Sequence, residues 1–366
     1  MEKAKISAIQ LFVLMVLFEL GSALLVPLAI DAKQDAWIAI LIGMVFSFVL
    51  LLVYHKLYWY YPDLLPTEYM QKIVGKVAGS VLAFLYLFYF MYDASRVLRD
   101  FGEMLLTFAY PETPLFIANA LLMLIIIYSV RKGIEVIARS GELLFMLMFL
   151  LSVVGFILIV VSGLIDFTNL QPVLEKGIVP VLKVVVTQTL YFPFAEVIVI
   201  TMILPYLNNP KKAKLTMFCA AGLSGINLIL TMVINISVLG VGLTARSQFP
   251  LLSTVQTIQV ANFLERLDVF FMLALVIGIF VKISVLFYAA VIGSASLFKV
   301  QSPSRLTYPM GLIVLFMSIS IASNFQEHIH EGLKVAMYVL HIPLLVVIPI
   351  FLLLVAFLKN RKKTRG

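Results

Sequence analysis

Ten apolar stretches, most about 20 residues long, follow one another from one end of the chain to the other and leave little sequence between them. Each is long enough to cross a hydrocarbon core of ~30 Å as a helix, and none alternates with the two-residue period of a lipid-facing strand. The pattern predicts an all-α integral membrane protein of ten transmembrane helices. The runs cover roughly 8–30, 36–58, 79–107, 114–130, 140–163, 178–203, 213–241, 268–297, 306–323 and 335–358. Turn formers mark their ends, as in "YYPDLLP", "YPETP" and "YLNNP", and Tyr58 to Tyr61 form an aromatic belt after the second. With 62% hydrophobic and 13% charged residues, the chain lacks the charge that a soluble fold of 366 residues needs for its surface.

The charges that remain set the orientation. With the N-terminus cytoplasmic, eighteen Lys and Arg fall in inside segments and the tail, against five outside (Lys33, Lys176, Arg246, Arg266, Lys334). Four more lie within spans. The positive-inside rule therefore predicts that both termini are cytoplasmic. The net charge of +8 reflects this arrangement and not nucleic-acid binding. No cleavable signal peptide is expected at the first run. One cysteine, Cys219, provides neither a disulfide nor a zinc site.

Two spans are interrupted. The first carries Glu19, Gly21, Ser22 and Pro27 in "FELGSALLVP"; the sixth carries Pro193 and Glu196 in "TLYFPFAEVIV". Ten spans divide into halves of five, 1–163 and 164–366, within a single domain. Interruptions in the first span of each half point to an inverted repeat with a midplane site built from discontinuous helices. The long amphipathic segment between spans 7 and 8, "LTARSQFPLLSTVQTIQVANFLERLD", is expected to fold as an external cap.

Several residues could build that site. Gly21, Ser22 and Ala23 would open span 1 and offer backbone groups and a hydroxyl to a small zwitterion; the competing reading is a small-residue helix contact. Tyr191, Phe192, Pro193 and Phe194 would form the facing wall, or would simply pack. Lys282, midway along span 8, needs a buried partner, because an unpaired lysine there costs at least ~2.5 kcal/mol. Glu19 and Glu196 are the candidates. The pair would serve coupling, or only hold the bundle together. In span 3, Asp93, Arg96, Asp100 and Glu103 share one helix face, and Arg96–Asp100 and Arg99–Glu103 have pairing distance along the helix. That stripe lines a cavity or an interface, or neutralises itself. Tyr92 beside it is a pocket residue by fold analogy only. His328 and His330 in "EHIHE" give poor support for a metal site, and no cofactor, nucleotide loop or catalytic constellation is expected.

Three stretches together resemble the B subunits of bacterial spore germinant receptors: "LGSALLVPLAIDAKQDAWIA", "RVLRDFGEMLLTFAYPETP" and "FPLLSTVQTIQVANFLERLD". More broadly the chain resembles the amino acid–polyamine–organocation superfamily, and "LGSALLVP" is a loose match to its first-helix motif, with Ala23 in place of the second glycine. The resemblance implies the five-plus-five fold of the leucine-transporter type and a place in the spore inner membrane. It implies a receptor A subunit and a lipoprotein C subunit as partners. It also implies a nutrient germinant, commonly an amino acid, as ligand. The sequence physics fits a proton-coupled amino acid transporter equally well, with Glu19, Glu196 or Lys282 in the proton path; an enzyme is the remote class.

Overall fold

The computed structural model describes residues 4–258 and 268–363. Among these residues there is no strand, and helix occupies each of the ten apolar runs. Seven helices are long and apolar enough to cross a membrane, or eight if a pair bent by 108° at 321–324 counts as one span. The first and fourth runs form shorter apolar helices, Ala8–Ala23 (α1) and Leu115–Arg131 (α5). The faces turned away from the bundle carry no polar covering. Along Ile134–Val161 (α6), Leu143, Met146, Leu150 and Val161 are exposed, as lipid contact requires.

α1 begins at a capping box in which the Ser7 hydroxyl takes the Gln10 N–H and the Gln10 side chain takes the Ser7 N–H. It ends at Ala23, because Pro27 has no N–H to give the Ala23 carbonyl. Residues 24–29 then run irregularly, with Ala29 at φ 59°, a left-handed value rare outside glycine. A short 3₁₀ turn, Ile30–Asp35, leads into Ala36–Tyr60 (α2). Pro66–Val74 (α3) and Lys76–Phe108 (α4) precede α5. The second half opens with a short helix, Ile178–Val184 (α7), that widens to π winding over Val185–Thr189. It breaks at 190–193 and resumes as a 3₁₀ helix, Phe194–Met202.

Ala213–Arg246 (α8) follows, kinked at Gly240 (φ 73°), and the loop side chain Asn169 donates to the Ser237 carbonyl just before the kink. Pro250–Gln256 (α9) is the described part of the expected cap; residues 259–267 of that segment lie outside the described residues. Asp268–Phe298 (α10) runs through the centre, against α1, α4, α5 and α6. Thr307–Ser320 (α11), Phe325–His330 (α12) and Ile348–Lys363 (α13) complete the chain. Between α12 and α13 the backbone is π-wound over Glu331–Val335 and Met337–Val347, around Pro343. This third irregularity was not among those read from the sequence.

The start of span 1 is tied to the end of span 6. Ile6 and Leu207 form a parallel bridge: the Ile6 N–H donates to the Tyr206 carbonyl and the Asn208 N–H donates to the Ile6 carbonyl, each at 2.9 Å. The beginning of span 1 and the end of span 6 therefore meet at the same end of the bundle.

Candidate functional site

The two breaks face each other across α10. Gly21 sits inside the last turn of α1, not in the opening, which follows it at 24–29. A Cβ on Gly21 would come 2.6 Å from the Gly278 carbonyl oxygen, so the two glycines let α1 and α10 touch backbone to backbone. The expectation that Gly21 unwinds the helix is corrected: its role is close packing, and the proline four residues beyond Ala23 ends the helix.

This approach places Ser22 beside Lys282. The fully buried Lys282 ammonium donates to Ser22 Oγ at 2.8 Å and to Glu196 Oε2 at 2.5 Å. It lies about 5 Å from the ring centres of Phe18 (5.0 Å) and Phe192 (5.1 Å). Two hydrogen bonds and two aromatic faces supply what a lysine needs at this depth. Glu196 reaches it from the 3₁₀ helix that follows the 190–193 turn, and Tyr54 of α2, whose hydroxyl donates to the Leu345 carbonyl at 2.5 Å, also lies 3.3 Å from the Ala195 carbonyl.

Glu19 is not the partner of Lys282. Among the described residues neither of its oxygens has a hydrogen-bond partner, and its side chain lies beside Ser224 on α8. Ser22, about one turn on, is the α1 side chain that reaches the Lys282 ammonium, and the Ser224 hydroxyl beside Glu19 is already committed to the Ala220 carbonyl.

On the α4 side, Asp93 is within electrostatic reach of Lys282 and Arg96, and its Oδ2 has no hydrogen-bond partner among the described residues. Tyr89, one turn earlier, packs edge-on against His341 with ring centres 5.7 Å apart. The Tyr89 hydroxyl and His341 Nδ1 are buried and equally without a hydrogen-bond partner among the described residues. Such atoms are costly unless something satisfies them. The sequence reading missed Tyr89 and His341, although an ionisable residue two positions before a proline inside an apolar run is a signal in itself.

The rest of the stripe behaves differently. Arg99 pairs with Glu103 at 2.7 Å, as the spacing predicts, and also donates to the carbonyls of Ser318, Ile319 and Ala322. Asp100, however, pairs with His328 at 2.8 Å, and Arg96 donates to the His328 carbonyl, so the expected Arg96–Asp100 pair does not form. The sharp bend between α11 and α12 exposes carbonyls that these arginines cap, which outcompetes pairing along the helix. Arg96 also lies over Tyr92, whose hydroxyl accepts from it at 3.4 Å. Tyr92 is thus held by Arg96, and Tyr191 stands in the span 6 turn near Tyr338.

Above the break, at the end of the bundle opposite Ile6, a cavity of about 870 Å³ opens between residues 27–31, span 6, the α8–α9 connection and the segment after α12. Its floor includes Gln188, whose carbonyl takes the N–H groups of Tyr191 and Phe192.

Two solved structures share this architecture. The crystal structure of MhsT in complex with L-phenylalanine aligns with a TM-score of 0.72, over 96% of this chain and 89% of that one, at 13% identity. That of Mhp1, a nucleobase-cation-symport-1 family transporter with bromovinylhydantoin bound, gives 0.66 over 90% and 75%, also at 13% identity. The class is therefore an integral membrane protein with the leucine-transporter fold. Within it, the sequence profile described as "Spore germination protein" matches residues 5–326. The chain is 54% identical to spore germination protein KB of Bacillus subtilis (strain 168) over 366 residues, covering all of this chain and 98% of that protein. Spore germination proteins A2 and YndE of the same organism are 28% and 27% identical, over 82% and 81% of this chain and 82% of each of theirs. The chain belongs to the spore germination protein family and is a homologue of the germination-receptor B subunits.

Proposed function

We propose that the chain is the germinant-sensing subunit of a spore nutrient receptor. It binds a small nutrient where the breaks of spans 1 and 6 meet α4, α10 and the π-wound part of span 10. The observation that carries this is the coincidence of three unpartnered buried polar atoms, on Asp93, Tyr89 and His341, with a closed Lys282–Glu196–Ser22 centre. An amino acid is the ligand favoured by the shared fold with MhsT, which holds L-phenylalanine. Its ammonium would meet Asp93, and its apolar part would lie on Tyr191, Phe192 and Phe194. Ala23, the last helical residue of α1, would leave room for it.

The two halves, 1–163 and 164–366, would move against each other as inverted repeats. With both basic termini cytoplasmic, the 870 Å³ cavity faces outward. Ligand stabilises one arrangement of the halves over the other, and the shift is felt by an A subunit and a lipoprotein C subunit in the spore inner membrane. Only a difference in affinity between the two arrangements can do this.

A transporter is the second reading, favoured by the fold that the chain shares with Mhp1 and MhsT. In that case Glu19, Glu196 or Lys282 would carry protons. Purified protein in proteoliposomes separates the two. Saturable amino-acid binding without flux is the expected result, and concentrative, proton-driven uptake would establish the transporter. Absence of saturable binding with every amino acid tried would remove the amino-acid ligand.

A further inference from the structure

The cavity above the break gathers cations from three distant parts of the chain. Lys183 comes from α7, Arg246 from the end of α8 and Lys334 from the π-wound segment after α12, and Asp31 is the one carboxylate among the lining residues. Among the described residues, none of the three cations has an ion pair or a side-chain hydrogen bond. In most membrane proteins basic residues gather at the opposite face, and on this chain eighteen of them do. Of the acidic residues near Lys334 in sequence, Glu327 accepts the Ser323 N–H and Glu331 lies toward Tyr92, and neither lines the cavity.

The geometry points to a second binding site in this cavity, for a small oxyanion: a carboxylate or phosphate group, carried by a free solute or by a lipid headgroup. The cavity volume suits such a group with the solute attached to it. Three positive charges around a concave, partly enclosed mouth concentrate anions there. The cation donors come from separate elements, so they can converge on one anion without competing along a single helix. The site is independent of the midplane centre, one turn of span 6 beyond it, and does not require the ligand proposed there.

The full chain in phosphatidylcholine nanodiscs is treated with an amine-acylating reagent, and modification of each lysine is read by mass spectrometry. The probes are inorganic phosphate and acetate. Either should protect Lys183 and Lys334 while leaving Lys33, exposed but outside the cavity, unchanged. Arg246→Gln keeps both reporters and should raise the half-protecting concentration about two- to fivefold, the effect of one exposed charge pair. Asp31→Asn should lower it by a similar factor. Protection without added solute in phosphatidylglycerol discs, and none in phosphatidylcholine, makes the headgroup the oxyanion. Equal labelling under all these conditions overturns the proposal, as does protection of Lys33 to the same degree. The protection is read with no amino acid present, so a failed midplane reading would not affect the result.

Discussion

Two groups of buried charges lie on the same face of α4, barely two turns apart, and they differ in how completely they are satisfied. In the group around Arg99, the guanidinium meets Glu103 and three carbonyls, Asp100 meets His328, and Arg96 caps the His328 carbonyl. Among the described residues, His328 Nδ1 is the one side-chain atom of that group left buried without a hydrogen-bond partner. In the group around Lys282, the lysine and Glu196 are satisfied by each other and by Ser22, but Asp93 Oδ2, the Tyr89 hydroxyl and His341 Nδ1 point at nothing. A nearly saturated network holds a bend in place. An open one leaves room for a guest.

Mutations can break this contrast. The largest effect is expected from Lys282→Met, which strands Glu196 without its counter-charge and should cost about 3–5 kcal/mol of stability. Ligand binding should be lost as well. Adding Glu196→Gln should recover most of the stability and none of the binding, measured by thermal unfolding and ligand titration in detergent. Normal germinant sensitivity in spores carrying normal levels of the Lys282→Met protein would end the role given to this centre.

Arg99→Met comes next, at about 1–3 kcal/mol for carbonyls left without donors. Amide exchange should rise at 318–325 while ligand affinity stays within twofold. A large loss of affinity would mean that the two groups are one site. Gly21→Ala should cost about 1–3 kcal/mol, because its methyl group meets backbone at Gly278 and not a side chain that can turn aside. The smallest change in stability is expected at the open group. His341→Asn should lower ligand affinity about tenfold, on the scale of one buried hydrogen bond, with the unfolding temperature almost unaltered. A stability loss without an affinity change would move His341 to the saturated class.

The contrast also explains what could be read from the chain before its fold was known. The apolar runs and the prolines that stop helices are local, so the helix positions and the span 6 break were legible. The need of Lys282 for a partner was legible too, from the cost of burying its charge. Which carboxylate would answer it was not, because Glu19 and Glu196 are equally plausible until helix rotation turns Glu19 toward Ser224. The Arg96–Asp100 pair failed for a similar reason. Spacing along one helix says nothing of the carbonyls that a bend in another will present. Gly21 could be read either as an opening or as a contact, and only the neighbouring Gly278 decides.

The short bridge at Ile6 and Leu207 has a mechanical consequence. Two adjacent main-chain hydrogen bonds join the root of span 1 to the foot of span 6, so the two broken spans are pinned to each other at that end. Movement at the cavity end is leverage about that pivot. A displacement large enough to part the opposite end must first unzip both bonds together, so the response at that face has a threshold and does not grow smoothly with tilt.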